Sequence, residues 1–439
     1  MRKFWIILLT MGLIMAFAVP ASAVDVKFSG QYYVVGYHGE NWSASDKDDI
    51  PVRNLYAQRL RMQTVFQVAE GLSLTTRFDA LEKRWGERNW TGSTYDVSSR
   101  PSTGGSDAKE QESIEFERAY VTFKTAIGQF DVGYQEIQVF GTVFGNWNGT
   151  GAKIKYTGVF GPVSFLAFLE KNDERALRNA TEADADRDTY GVAGIYKWNQ
   201  GSAGLEIKYA RDATNSTAGY TETVWLFTPY VQAKFGPVYV EAEGAYTYGK
   251  RDYDTISDID IRGWSAYLKA QVDLEPAYVG VRGAYVTGDD PSTTDEIETS
   301  GLSGGIGFEP TLILWNYTQE TWLKSVGSGG NFTPGAGSYY SRQMTNAWFG
   351  QIFAGIKPIP KLDIMASYTY AKMDEKPTGW ISDKLGSEFD ITATYKIYDN
   401  LSYMVGFGYL WTGDAFKGTN AAATVDNTYL VMHKVTLTF

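Results

Sequence analysis

The sequence contains no cysteine, and this absence excludes disulfides, zinc–thiolate sites, iron–sulfur clusters and thiol catalysis. It has only two histidines, His38 and His433, so acid–base catalysis and metal binding through imidazole have little support. Positive charge is also scarce, since 40 Lys and Arg stand against 51 Asp and Glu for a net charge of -11. A protein that binds nucleic acid needs a basic surface. We therefore expect no cofactor, no enzymatic activity and no nucleic-acid partner.

Long apolar runs are absent beyond the N-terminus. Two basic residues precede an uncharged stretch over 4–19, and residues 21–23 follow with the small-residue pattern of a signal peptidase site. The stretch is short for a transmembrane helix. The sequence therefore predicts a signal peptide over 1–23, with export of a mature chain over 24–439 that has no membrane-spanning helix.

Aromatic residues and glycine are abundant, and this composition is typical of strands and turns. Apolar and polar residues alternate along long segments, for example over 58–68, 385–397 and 428–439. A β-sandwich also shows alternation, but its strands average about five or six residues, whereas tilted membrane strands need about nine to eleven. Tyr and Trp near the strand ends are typical of membrane interfaces. The pattern favours strands that cross a membrane, with a wet inner face.

Short turns and long polar connections occur in alternation along the chain, as in outer-membrane barrels. The short turns lie at 70–71, 127–128, 161–162, 199–201, 236–237, 275–276, 358–360 and 399–400. They predict an all-β fold: a single transmembrane antiparallel β-barrel of about 18 strands over 24–439. The connection over 288–344 is interpreted as a long extracellular loop. It is long enough to contain a hairpin or a helix, so 16 strands is the alternative.

Several segments resemble bacterial outer-membrane porins. Residues 24–30 resemble their first strand, 58–72 resemble the following hairpin, and 116–123 with 128–133 are similar to a central hairpin. The resemblance is strongest to the homotrimeric porins of sulfate- and metal-reducing bacteria, and the strand count also resembles alginate-export barrels. It implies a water-filled channel for small solutes in the outer membrane of a Gram-negative cell, a homotrimer, and one loop folded inward as a constriction.

Charged residues fall on the inner face when the apolar face of each strand is placed against lipid. The basic pore-lining candidates are Arg59, Arg61, Arg77, Arg118, Lys153, Lys155 and Arg282, together with Lys208 and Lys269. The acidic candidates are Glu206, Glu241, Glu243, Glu388 and Asp390, together with Asp79. Opposed charges across a narrow pore bias ions and orient dipolar solutes. The alternative is that they are solvated wall residues without a role in selectivity.

The connection over 137–150 is the candidate constriction loop. It has no charge and contains Phe140, Phe144 and Trp147, which would make an unusual exposed surface. Constriction loops of porins usually carry carboxylates, so this loop departs from the pattern. The acids between 289 and 298 are interpreted as part of a solvated outer loop, with calcium bridging as the alternative.

Two residues of the last strand are candidates for other roles. His433 shares its face with Val431 and Val435, and an outward imidazole inside a bilayer needs a partner, so we predict that it marks a subunit interface. The terminal Phe439 is similar to the C-terminal assembly signal of porins.

Three classes of function remain open from the sequence. The first is a porin for passive diffusion of small hydrophilic solutes and ions. The second is a substrate-specific channel or a polysaccharide exporter of the alginate type, and the third is a structural barrel such as an adhesin or a sheath.

Overall fold

The alternating segments form long antiparallel strands that close into a barrel. The computed structural model describes residues 24–44, 53–85, 114–175, 185–302, 304–323, 326–327 and 344–439, and the predicted signal peptide lies outside them. The strands are β1 (Asp25–Glu40), β2 (Arg53–Ala69), β3 (Leu72–Arg84), β4 (Glu115–Thr125), β5 (Gly128–Ile137), β6 (Gly149–Phe160), β7 (Val163–Asp173), β8 (Arg187–Trp198), β9 (Gly201–Asp212), β10 (Tyr220–Phe235), β11 (Val238–Tyr253), β12 (Ile259–Leu274), β13 (Ala277–Val286), β14 (Glu296–Ile297), β15 (Ala347–Ile359), β16 (Leu362–Met373), β17 (Lys384–Tyr398), β18 (Leu401–Thr412) and β19 (Thr428–Thr438).

Closure is made by β1, which pairs with β2 on one side and with β19 on the other. Eighteen strands form this antiparallel barrel, and the two-residue β14 lies beside it in parallel with β12. The predicted all-β barrel of about 18 strands is confirmed, and the alternative of 16 is wrong. The eight short turns of the sequence are the tight connections within the hairpins β2–β3, β4–β5, β6–β7, β8–β9, β10–β11, β12–β13, β15–β16 and β17–β18. Closure pairs the backbone N–H and C=O groups of the strand edges, which would find no hydrogen-bond partner in lipid.

The strands are apolar outside and largely polar inside. On the outer face Ile352 is 64% exposed and Val431 is 45% exposed, although both are large hydrophobic residues. On the inner face Asp79 is 3% exposed and Glu388 is fully buried. A charged residue can lie this deep only when it is paired or hydrogen-bonded, so the inner face must supply partners for its charges.

Two connections fold into the barrel. Residues 138–148, between β5 and β6, bury Phe144 completely. Residues 304–323, between β14 and β15, end in the helix α1 (Tyr317–Leu323) and bury Trp315 and Trp322. We refer to these as the first and the second inward segment. The predicted external loop over 288–344 lies partly outside the described residues, and within it residues 304–323 pack against inner-face side chains. Within the described residues, no helix has the length and hydrophobicity needed to cross a membrane.

The second inward segment creates a dry sector inside the barrel. Trp315 packs on Phe349 of β15 with ring centroids 5.3 Å apart. The inner faces of β17, β18 and β19 contribute Leu385, Leu410 and Leu430, which are fully buried. The expectation of a wet inner face is therefore wrong for this sector, because the segment brings its own apolar side chains to cover it. The inner face of β2–β12 is largely polar, whereas in this sector buried polar residues such as Glu388 lie among apolar ones.

Candidate functional site

Arg61 lies at the centre of a charge network on the wall formed by β2, β3 and β4. Its Nε and Nη2 donate to the two carboxylate oxygens of Asp79 at 2.7 and 2.6 Å, and Nη2 also donates to Glu117 at 2.9 Å. Arg59 lies 3.8 Å from Asp79 and from Glu82, and its guanidinium lies over the Tyr33 ring. The bidentate contact fixes the guanidinium plane, since both nitrogens bind one carboxylate.

Arg77 and Arg118 are directly opposite each other in the register of β3 and β4. Each has an acid partner: Arg77 lies 2.5 Å from Glu117, and Arg118 pairs with Glu136. The register shifts next to this pair, and the bulge lets Glu117 and Arg118 both reach the inner side. The four predicted arginines thus lie on one wall, where the predicted Asp79 and three acids that were not predicted, Glu82, Glu117 and Glu136, neutralise them.

The next lysines along the wall are paired in the same way. Lys153 Nζ lies 2.8 Å from Glu170, and both side chains are buried, at 6% and 2% exposure. Lys155 lies 3.0 Å from Asp131, and Lys208 lies 3.0 Å from Glu206. Glu170 could have been found from the sequence, because it lies on the inner-face parity of its strand and opposite a lysine in the β6–β7 hairpin, while Asp131 could have been found from parity alone.

Glu243 of β11 holds the first inward segment. Its Oε2 accepts hydrogen bonds from the backbone N–H of Thr142 at 2.7 Å, from the Thr142 hydroxyl at 2.5 Å and from the backbone N–H of Gly145 at 3.1 Å. A Cβ at Gly145 would overlap this carboxylate, so glycine allows the close approach. The sequence placed Glu243 among the pore-lining acids but gave no sign of this contact.

The aromatic side chains of the first inward segment point to three different surfaces. Phe140 makes an edge contact with Tyr230 at 5.1 Å, and Phe144 stacks on Tyr267 at 5.4 Å. Trp147 contacts Tyr317 of the second inward segment at 6.0 Å. The two segments therefore touch inside the barrel.

A cavity of ≈190 Å³ is lined by the first inward segment and by β7–β11. Its lining includes Phe144 and Trp147 of the segment and Glu170, Lys208 and Thr247 of the strands. The constriction candidates and charged residues of β7 and β9 therefore line one space.

Glu388 of β17 holds the second inward segment. Its two carboxylate oxygens accept the backbone N–H groups of Ile313 at 2.6 Å and Leu314 at 2.9 Å. Gln351 adds a bond from its side-chain amide to the Pro310 carbonyl at 2.6 Å. Asp390, two residues along β17, is 3% exposed and lies 3.4 Å from the Ser367 hydroxyl. These predicted acids thus lie beneath the segment and not in an open lumen.

The remaining predicted inner-face residues lie on β11, β12 and β13. Glu241 accepts hydrogen bonds from the hydroxyls of Tyr239 at 2.7 Å and Tyr267 at 2.6 Å. Lys269 and Arg282 are neighbours in the register of β12 and β13. In the part of the chain that the structure describes, neither has a carboxylate within 4.0 Å, which distinguishes them from the cations of the early strands.

His433 lies on the outer face, between the rings of Tyr56 and Tyr403 at 5.5 and 5.9 Å. No hydrogen bond to its imidazole is found within the described ranges. Phe439 exchanges backbone hydrogen bonds with Gly30, at 2.7 and 3.1 Å, and its ring lies against that glycine. Both positions are thus on the lipid side of the seam between β1 and β19.

The acids between 289 and 298 form a compact turn. Asp290 accepts the backbone N–H of Ser292, and this bond lowers the pKa of Asp290. Glu298 accepts the backbone N–H of Asp290 at 3.0 Å, and Glu296 pairs with Arg262 at 2.9 Å. Among the described residues, no three acidic or histidine side chains are grouped so that they could hold a metal ion. The calcium alternative therefore has no support here.

Comparisons with known proteins agree with this geometry. The model of the Gram-negative porin family matches residues 10–320. OccK2 (OpdF) of Pseudomonas aeruginosa superposes with a TM-score of 0.53 at 12% identity, covering 94% of this chain and 98% of that one. A BenF-like porin of Pseudomonas fluorescens Pf-5 gives 0.50 at 12% identity, over 94% and 99% of the two chains. No curated protein sequence matched the chain.

The family match spans more than half of the chain, while the two structures share its fold. Together with a closed barrel that is apolar outside and charged inside, this confirms the predicted porin resemblance, channel function and location. The chain belongs to the Gram-negative porin family and is an outer-membrane channel through which small solutes diffuse.

Proposed function

We propose that the open path runs along the charged sector of β2–β12 and not through the centre of the barrel. The second inward segment covers much of the opposite sector with apolar side chains, which narrows the space for water there. The pore-lining roles of the predicted basic residues, and of Glu206 and Glu241, belong to this path. Glu243, Glu388 and Asp390 support the inward segments instead, and Phe140, Phe144 and Trp147 form the constriction.

One observation carries the proposal: the cations of the early wall have carboxylate partners at short distance. A wall of paired charges is wet but has little net field, so it favours passive diffusion of small polar solutes over strong selection by charge. The narrow space left by two inward segments argues against export of a polysaccharide. The chain is proposed not to be an enzyme, since His38 is bound to Asn54 and Tyr429 and His433 lies on the outer face of the barrel.

Conductance in planar bilayers tests this path. We expect steps well below those of an unobstructed barrel of this size, and a chloride-to-potassium permeability ratio within roughly a few-fold of one in a KCl gradient. The reason is that only part of the lumen conducts and most wall charges cancel. A silent barrel, or conductance equal to that of an empty barrel, would contradict the proposal.

We further propose that residues 1–23 are removed on export, that Phe439 serves in assembly, and that the mature protein is a homotrimer. The outward His433 supports the last point, because an imidazole at membrane depth without a hydrogen bond in its own described chain gains one from a neighbouring subunit.

Spin labelling tests the interface, and the absence of cysteine gives a clean background. The variant His433→Cys, labelled and measured by pulsed electron resonance, is expected to give short distances between subunits. The matched control is Val192→Cys, also outward and 44% exposed, on the far strand β8. Its distances should be clearly longer, and equal or reversed distances would remove β19 from the interface.

A further inference from the structure

Unlike the predicted basic residues of β2–β9, Lys269 and Arg282 have no carboxylate within 4.0 Å in the part of the chain that the structure describes. The register of β12 and β13 places them directly opposite each other, and this arrangement puts both side chains on the same face. Like charges at directly opposite positions destabilise a sheet. A protein retains such a pair at a cost in stability, which points to a role for the two charges together.

The two nearest carboxylates are occupied by other groups. Glu241 is opposite Lys269 in β11, but its oxygens accept the hydroxyls of Tyr239 and Tyr267. Asp273 lies 2.6 Å from Lys234. The hydroxyls are neutral, so Glu241 keeps its negative charge, but it is a single carboxylate beside two cations. The site therefore keeps an excess of positive charge.

An aromatic surface holds the two cations in place. Lys269 Nζ lies 5.9 Å and Arg282 Cζ lies 5.6 Å from the centre of the Phe353 ring, and Lys269 also lies 5.5 Å from the Tyr239 ring. Phe353 occupies the space over Gly280, where a Cβ would overlap its ring. An aromatic face attracts a cation but does not neutralise its charge.

We propose that Lys269 and Arg282 form an oxyanion-binding site in the channel, where a carboxylate or phosphate group of a passing solute supplies the missing counter-ion. Both side chains are half-buried, so a solute in the lumen reaches them. The guanidinium binds two oxygens of one group, and the ammonium adds a third contact. This inference rests on the proposed path, because β12 and β13 border its far end.

Block of the purified channel by added anions tests the oxyanion-binding site. With inorganic phosphate, and separately acetate, added at constant KCl, the wild-type current carried by chloride is expected to fall. In the variant with Lys269→Gln and Arg282→Gln this fall is lost, and the chloride-to-potassium permeability ratio drops by roughly threefold to tenfold. The matched control carries Lys361→Gln and Lys396→Gln, which removes the same charge from exposed residues at the short-turn rim of β15–β18.

Folding is measured in parallel by the thermal midpoint, which is expected not to fall in the Lys269→Gln variant because a like-charge contact is relieved. Block by phosphate alone means that the site binds phosphate groups, and block by both anions means that it binds carboxylates as well. A conducting wild type that neither anion blocks, or a double variant blocked like the wild type, overturns this inference alone. A wild type that conducts no ions overturns the proposed function and the proposed oxyanion-binding site with it.

Discussion

Replacing Glu243 by alanine is expected to raise the single-channel conductance by roughly twofold and to add rapid fluctuations to the open state. The carboxylate accepts all three hydrogen bonds that join the first inward segment to β11. Without it the backbone N–H groups of Thr142 and Gly145 lose their acceptor, so the segment moves away from the wall. Single-channel recordings at fixed voltage measure both changes.

Two controls make this result specific to the contact. Glu243→Gln keeps a carbonyl oxygen in the same place and should restore most of the wild-type step. Glu70→Ala removes an acid from an exposed turn and should leave the step unchanged. If Glu243→Ala conducts like the wild type, this carboxylate does not hold the constriction.

Replacing Glu388 by alanine is expected to act on stability and not on conductance. Two buried backbone N–H groups, of Ile313 and Leu314, lose their acceptor, and each unsatisfied group costs about 1–3 kcal/mol. The second inward segment stays in place because Trp315, Trp322 and Leu314 remain packed against the strands. We expect the free energy of unfolding to fall by about 2–5 kcal/mol.

Urea unfolding followed by tryptophan fluorescence measures the loss, and bilayer recordings of the same preparation measure the step. Glu388→Gln keeps one acceptor and should lie between alanine and the wild type, while the Glu70→Ala rim variant serves again as control. A large rise in conductance in Glu388→Ala would mean that the carboxylate, and not apolar packing, keeps the second segment inside.

The barrel itself was predictable because each of its determinants is local. Alternation fixes the two faces of a strand, and a short turn fixes its hairpin, so the turn at 236–237 determines the register of β10 and β11 without reference to the rest of the chain. The inner-face parity of Arg77 and Glu388 follows from the same rule. Strand count followed once the turns were placed.

The pairing inside the barrel was not predictable in the same way. That Glu243 meets Thr142, or that Glu388 meets Ile313, depends on where a loop lies in three dimensions, and no spacing along the chain encodes this. The second inward segment gave a weak signal: residues 310–316 are uncharged and include Leu312, Leu314 and Trp315. In a connection rich in acids and glycine, such a run indicates burial.

The second inward segment allows the diameter of the pore to change without a change in the barrel. In a β-barrel with no folded segment inside it, the number of strands sets the diameter of the pore. Here the second inward segment occupies one side, so substitutions in residues 304–323 can widen or narrow the pore while the strands and their hydrogen bonds stay as they are. The width of the pore and the strand framework can thus change independently.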